Sequence, residues 1–268
     1  MSEFKMPTEI VELPSKGLLY PESNPLSSGK IEMKYMTAKE EDILTNQAYI
    51  KDGTVLDKLL KSLIVSTIDY NDLLIGDKNA IMIASRILGY GSDYNIVYNG
   101  KSYSVDLTKL EHKAIDEEMY KQGINEFSYT LPTSETEVTF KFLTHGDEQT
   151  INKEIEGYKK INKDASPDLS TRLKYTLTSV NGQRDTKVIR DFVENHFLAR
   201  DSRAFREYMR SIQPDVDLNY ELEPGLFIDV PINLSFFWPD AWQQQSGKDE
   251  FVFRDTWNSV SRPGRVWL

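Results

Sequence analysis

A helix followed by a β-hairpin is predicted by residues 77–107, DKNAIMIASRILGYGSDYNIVYNGKSYSVDL. Asp77 is a suitable N-cap, and apolar residues recur at helical spacing on one face of the segment behind it. These residues are Ala80, Ile81, Ala84, Ile87 and Leu88. Gly89 and Gly91 are suited to ending the helix, and Asn99-Gly100 is typical of the type I′ turn of a two-residue hairpin.

The same plan recurs in residues 201–239, DSRAFREYMRSIQPDVDLNYELEPGLFIDVPINLSFFWP. Asp201 would cap this helix, and Pro224-Gly225 suits a type II turn in the hairpin behind it. The apolar face is formed by Ala204, Phe205, Tyr208 and Ile212. At a common offset of 124, Asp77 meets Asp201, Ala80 meets Ala204, Arg86 meets Arg210 and Leu88 meets Ile212. The repeated order predicts an internal duplication.

Ahead of each helix and hairpin, an alternating strand leads into a capped helix. KIEMKYM (30–36) places Ile31, Met33 and Tyr35 on one strand face, and EVTFKFL (137–143) does the same for Val138, Phe140 and Phe142. Thr37 with Glu40, and Thr144 with Asp147, have the spacing of a capping box. Apolar spacing predicts further helices at 56–64 and 170–180.

These patterns predict an α+β protein of two similar units. The expected divisions are an extended N-terminal arm at 1–29, a first unit at 30–107, a helical connector at 108–123, a second unit at 124–235 and an aromatic C-terminal tail at 236–268. Each unit is expected to pack a short antiparallel sheet or hairpin against several helices.

The composition is that of an ordinary water-soluble protein. The 268 residues carry 32 Lys and Arg against 42 Asp and Glu, and the net charge of −10 repels the phosphates of nucleic acids. The chain has no cysteine, which excludes disulfides, thiolate nucleophiles and Cys-based metal sites. No run reaches the roughly 18 apolar residues of a membrane helix, and the N-terminus lacks the pattern of a signal peptide, so a cytoplasmic protein is expected.

Patterns that would indicate catalysis are sparse. His112, His145 and His196 have no metal-ligand spacing and are expected at the surface or beside helix caps. Asp215 and Asp217 could hold a divalent cation, but no EF-hand-type loop follows them. Phosphate-binding loops and nucleophile elbows do not occur. The sequence predicts no enzymatic activity, no cofactor and no metal, with an Asp/Glu metal-dependent hydrolase as the alternative.

Apolar and aromatic residues near both ends of the chain favour a protein–protein contact. Large rigid rings are common anchors of protein interfaces, and LPSKGLLYP (13–21) is too apolar for a free coil. The expected partner-binding residues are Leu13, Pro14, Lys16 and Gly17 in the arm and Phe236, Phe237, Trp238, Trp242, Trp257 and Trp267 in the tail. The alternative is that the rings at 236–238 cover the core of the chain itself.

Five segments in combination resemble the baseplate hub subunit and hub-assembly family of T4-like contractile-tailed bacteriophages. They are LPSKGLLYP (13–21), MKYMTAKEEDIL (33–44), LLIGDKNAIMIASRILGYGSDY (73–94), DSRAFREYMRSIQPDVDL (201–218) and VPINLSFFWPD (230–240). The resemblance spans about residues 11–240. It depends on the combination, since each motif alone is weak.

The resemblance implies a non-enzymatic role in building the central hub of the tail baseplate, as a hub component or an assembly chaperone. The implied partners are other phage tail and baseplate hub proteins, met in the host cytoplasm during assembly or in the virion tail baseplate. A tail adaptor retained in the virion is a further alternative. Many members of the family carry Cys pairs in the two hairpins as zinc-ribbon-like knuckles. The matching segments here, YNIVYNGKSY (94–103) and LNYELEPGLF (218–227), have no Cys, so zinc is not carried over.

Overall fold

The computed structural model of the chain describes residues 6–162 and 167–237. Helices and short antiparallel sheets alternate along these residues, which confirms the α+β class. The strands are β1 Thr8–Glu12, β2 Lys30–Lys34, β3 Asp93–Tyr98, β4 Lys101–Asp106, β5 Phe127–Thr130, β6 Glu137–Phe140, β7 Leu177–Val180, β8 Asn219–Glu223 and β9 Leu226–Asp229. The α-helices are α1 Ala38–Leu44, α2 Gln47–Lys51, α3 Val55–Leu63, α4 Ile75–Tyr90, α5 His145–Ile161, α6 Asp168–Thr176, α7 Thr186–Asp191 and α8 Ala199–Ile212.

The N-terminal half follows the expected order of strand, capped helix, long helix and hairpin. β2 pairs with β1 and buries Ile31 and Met33 on the predicted face. Thr37 and Glu40 form the capping box of α1. Helix α4 runs through Gly89 and ends at Tyr90, with Gly91 as its C-cap. The β3–β4 hairpin turns through Asn99 and Gly100, both of which have positive φ angles, as a type I′ turn requires.

The C-terminal half has the same order with a larger sheet, β5–β6–β7. Thr144 and Asp147 form the capping box of α5, as predicted. The helix expected at 170–180 is wrong at its C-terminal end, because α6 stops at Thr176 and β7 begins at the next residue. Leu177–Val180 pairs with β6, so long-range sheet pairing overrides the local helical spacing.

The helical connector expected at 108–123 is also wrong. This segment contains two short 3-10 turns, Leu107–Lys109 and Glu117–Met119, each capped by the aspartate before it. Aspartate side chains that bind nearby backbone amides compete with helix formation. Between the turns the segment pairs with the chain beyond α8, where the Lys113 amide donates to the Asp215 carbonyl at 2.9 Å.

One continuous core runs through both halves. The N-terminal segment is part of it, since β1 pairs with β2 and Leu13, Leu19, Tyr20 and Leu26 are buried. The arm is therefore folded into the body of the protein.

In the described residues no helix is long and apolar enough to cross a membrane.

Helix α4 touches the second half closely at its first turn. Gly76 lies against the backbone after α8, and a Cβ there would stand 1.9 Å from the carbonyl oxygen of Pro214. One turn further, the Asn79 amide donates to Asp215 Oδ1 at 3.0 Å. Close backbone approach at a glycine thus joins the two halves.

Candidate interaction surface

Most of the arm residues expected to bind a partner are buried within the protein. Leu13, Pro14 and Gly17 are buried, and only Lys16 is exposed, where it pairs with Glu117. Gly17 has a φ of +77°, and a Cβ there would lie 2.3 Å from a backbone oxygen of the neighbouring turn. The proline and glycine of this segment therefore serve a tight intramolecular turn.

Asp77 holds that turn in place from the start of α4. Its carboxylate accepts hydrogen bonds from the Ser15 amide at 2.9 Å, the Ser15 hydroxyl at 2.7 Å and the Tyr20 hydroxyl at 2.6 Å. Tyr20 Oη in turn accepts from the Leu74 amide at 2.9 Å. Burial raises the pKa of Asp77 despite these donors, because the carboxylate has lost its water.

Asp201 occupies the equivalent position at the start of α8. It is fully buried and accepts from the backbone amides of Thr133 at 2.7 Å and Ser134 at 3.0 Å. Burial opposes its ionisation, but these hydrogen bonds outweigh that effect and lower the pKa of Asp201. The prediction that Asp77 and Asp201 are N-caps is wrong, because each is the third residue of its helix and binds a separate turn.

The aromatic rings at the end of the described chain cover the core of the protein itself. Phe236 and Phe237 are completely buried, and the Phe236 ring meets Tyr94 edge-on at 4.9 Å. Arg86 Nε also donates to the Phe236 carbonyl at 2.9 Å. These two residues are closed to a partner in this fold. Trp238, Trp242, Trp257 and Trp267 lie outside the described residues.

The histidines have separate surroundings. His145 begins α5, as a cap-adjacent residue should, but it is buried beside Lys78, with Nδ1 3.3 Å from Lys78 Nζ and Nε2 3.5 Å from Asp57 Oδ2. Burial, followed by the charge of Lys78, lowers the pKa of His145 to about 4. His196 is exposed, as expected, and His112 forms an isolated bridge to the strand-like segment after α8.

The acidic residues considered for a cation have partners within the fold. Asp215 Oδ1 accepts from Asn79 and from the adjacent Val216 amide at 2.8 Å. Asp217 Oδ1 accepts from the Asn219 amide at 3.0 Å. Across residues 6–162 and 167–237, no group of three or more His, Asp or Glu side chains is arranged to hold a metal ion.

A groove lies between the two hairpins and is here named the hairpin groove. It measures about 480 Å³ and is lined by Ile96, Val97, Tyr98, Asn219, Phe227, Ile228, Asp229 and Pro231. Val97 is 73% exposed and Phe227 is 56% exposed, so the groove combines two accessible apolar side chains with polar ones. An open groove with this mixture is suited to binding another molecule.

Contacts between β4 and β8 hold the two hairpins together. Lys101 of β4 forms an ion pair with Glu223 of β8. The Asp106 amide of β4 donates to Tyr220 Oη of β8 at 3.3 Å. These contacts hold β4 beside β8, while β3 and β9 form the groove walls.

Sequence reasoning identified both hairpins but not the groove. The hairpins are separated by more than a hundred residues, and their adjacency depends on contacts between distant segments, such as the Asp106 amide with Tyr220 Oη. Alternation along the strands was the one signal that could have revealed the groove. Val97 and Phe227 are apolar, yet the alternating pattern of their strands places them at positions that face solvent. The groove is therefore an additional candidate site that only the tertiary structure reveals.

Comparison with known proteins identifies no relative of this chain. No protein-family model matches the sequence, and no match is found among curated proteins or solved structures.

Proposed function

We propose that the chain is a non-enzymatic phage tail baseplate hub subunit or hub-assembly factor that acts through protein–protein contacts. The observation that carries this proposal is the hairpin groove, with Val97 and Phe227 exposed on its facing walls. Burying such side chains against a partner releases water and stabilises a complex without any reaction. The five-segment resemblance supplies the tail baseplate as the context.

The net charge of the chain indicates which kind of partner surface it binds. At −10, the protein repels other acidic surfaces and speeds association with basic ones. The proposed partners are accordingly basic surfaces of other tail or hub proteins, with no role for nucleic acid, membrane or a small-molecule substrate.

The two halves are proposed to descend from one duplicated unit. Support comes from the matched turns LPSKG (13–17) and LPTSE (131–135), each of which donates at least one backbone hydrogen bond to a buried aspartate at the third position of a long helix. A hairpin follows each of those helices. Duplication would account for two hairpins meeting at a single groove.

The test is recovery of tail proteins by the intact chain. Tagged protein is mixed with dissociated phage tail components, and the captured proteins are identified by mass spectrometry. We expect baseplate hub proteins to be captured and the V97T/F227T variant to recover several-fold less. V65T is the matched control, because Val65 is an exposed valine outside the groove. Equal recovery by V97T/F227T, or capture of proteins unrelated to tails, would contradict the proposal.

Two alternatives have their own readouts. A tail adaptor is found in purified mature virions, whereas an assembly chaperone is absent from them. A metal-dependent hydrolase would bind Mg²⁺ or Mn²⁺ stoichiometrically and lose activity when Asp215 and Asp217 are replaced.

A further inference from the structure

We infer that the hairpin groove binds an extended segment of a partner protein, which adds to the outer edge of β3 and carries apolar residues flanked by Lys or Arg. This inference rests on the proposed protein-binding function and specifies the conformation and chemistry of the ligand. It follows from the strand edge, the apolar walls and the charges around them.

Within residues 6–162 and 167–237, no strand pairs with the outer edge of β3 at Val97. The partner of β3 on its other edge is β4, and the two-residue turn makes Tyr98–Lys101 the first hydrogen-bonded pair. Hydrogen-bonded pairs alternate along an antiparallel ladder, so Ile96–Tyr103 is the next one. The N–H and C=O groups of Val97 therefore point away from β4, toward the position of an added strand.

The apolar walls define where side chains of the added strand would lie. Val97 is exposed on β3, and Phe227 is exposed on β9 across the groove. Ile96, Ile228 and Pro231 also line the space. An extended segment places alternate side chains on opposite faces, so every second residue of the ligand would enter the groove. Apolar residues in alternation are the matching pattern.

An extended ligand fits better than a helical one. A helix satisfies its own backbone groups internally, so it gains nothing from the edge groups of Val97. Strand addition uses those groups for affinity and the pockets beside them for specificity. Exposed apolar strand edges are otherwise avoided in soluble proteins because they promote aggregation, which indicates that this edge serves recognition.

The charges around the groove favour a ligand that carries basic residues beside its apolar ones. The two hairpins carry five carboxylates, from Asp93, Asp106, Glu221, Glu223 and Asp229, against a single lysine, Lys101, which already pairs with Glu223. Asp229 lines the groove and is exposed. An acidic segment would be repelled from this site, whereas Lys or Arg beside the apolar residues would be attracted.

The experiment is selection of peptides from a random displayed library on the intact chain. We expect the enriched peptides to combine alternating apolar residues with Lys or Arg, and to bind V97T/F227T about tenfold more weakly, as is usual when anchor residues are lost. V65T should bind like the unmodified chain. N-methylation of alternate peptide amides should abolish binding, since it removes the donors needed for strand pairing. D229N should reduce the preference for basic residues.

Four results of the peptide experiments would overturn the inference. They are enrichment of acidic or helix-patterned peptides, equal binding to V97T/F227T, tolerance of N-methylation, and absence of any peptide that distinguishes the intact chain from V97T/F227T. A dimer of the chain that V97T/F227T disrupts would also overturn it, because a second copy would then occupy the groove. If peptides behave as expected but tail proteins are not captured, the proposed function fails while the specificity of the groove stands.

Discussion

Replacing Asp77 with alanine is expected to lower the free energy of unfolding by about 3 kcal/mol. The change removes the acceptor for the Ser15 amide, the Ser15 hydroxyl and the Tyr20 hydroxyl. Each buried donor left without an acceptor costs about 1–3 kcal/mol, although the two hydroxyls can rotate and recover part of this. The backbone amide of Ser15 cannot.

An opposing effect reduces the loss. Burial raises the pKa of Asp77, so the ionised carboxylate is itself costly to keep away from water, and alanine removes that cost. The orphaned donors still prevail, because Ser15 and Tyr20 are themselves buried and stay away from water after the carboxylate is gone. The turn at 13–17 should consequently loosen while the rest of the fold persists.

The raised pKa of Asp77 also predicts how the loss of stability in D77A depends on pH. A folded pKa above the ordinary value of 3.8 means that the stability contributed by this group is complete below that value and falls as the pH rises through the folded pKa. The destabilisation caused by D77A should therefore be larger near pH 4 than at pH 7. Asp201 has a lowered pKa, so for D201A the order with pH should be reversed.

Urea unfolding followed by circular dichroism measures these differences, and an unchanged slope of the free energy of unfolding against urea concentration shows that the fold is retained. D42A is the control, since Asp42 is an exposed carboxylate on α1 and its loss should change stability by less than about 0.5 kcal/mol. If D77A and D42A unfold alike, the buried carboxylate does not hold the turn and the reasoning is refuted.

Three further predictions concern other parts of the fold. The pKa of His145 is lowered to about 4, so the stability that this residue contributes above the ordinary pKa of 6.5 is lost as the pH falls toward 4. H145Q should therefore flatten the decline in stability that acid unfolding curves show. H196Q, at an exposed histidine, should leave that decline unchanged. G76A should cost about 2–3 kcal/mol in urea unfolding, because its Cβ would overlap a backbone oxygen, whereas G157A, with open space around it, should be neutral or slightly stabilising. A chain ending after Phe237 should show a cooperative thermal transition. A chain shortened by two more residues should lose it, since each buried phenylalanine contributes about 3–5 kcal/mol; equal transitions would count against this role.

Local chemistry made much of the fold predictable. The capping boxes at Thr37 and Thr144 depend on residues three positions apart, and the turn at Asn99-Gly100 depends on two adjacent residues. Strand faces such as Ile31 and Met33 follow from alternation alone. These features involve neighbours in the chain, so the sequence contains the information needed to recognise them.

Predictions failed where distant partners decided the outcome. Leu177–Val180 has helical spacing but pairs with β6, and the expected connector helix is instead two turns with pairing to the chain after α8. The apolar residues of the arm and the rings of Phe236 and Phe237 were expected at a partner surface, yet they fill the core of the protein itself. Apolar character shows that a side chain must be covered, but it does not show by what.

The sequence by itself determined the α+β class, the capping boxes at Thr37 and Thr144, and the two hairpins. Only the tertiary structure decided that Asp77 and Asp201 bind separate turns, and that β3 and β9 meet across a groove with Val97 and Phe227 exposed. Local hydrogen bonds and side-chain periodicity act over a few residues. The groove depends on contacts between β4 and β8, which lie more than a hundred residues apart, and no short segment encodes them.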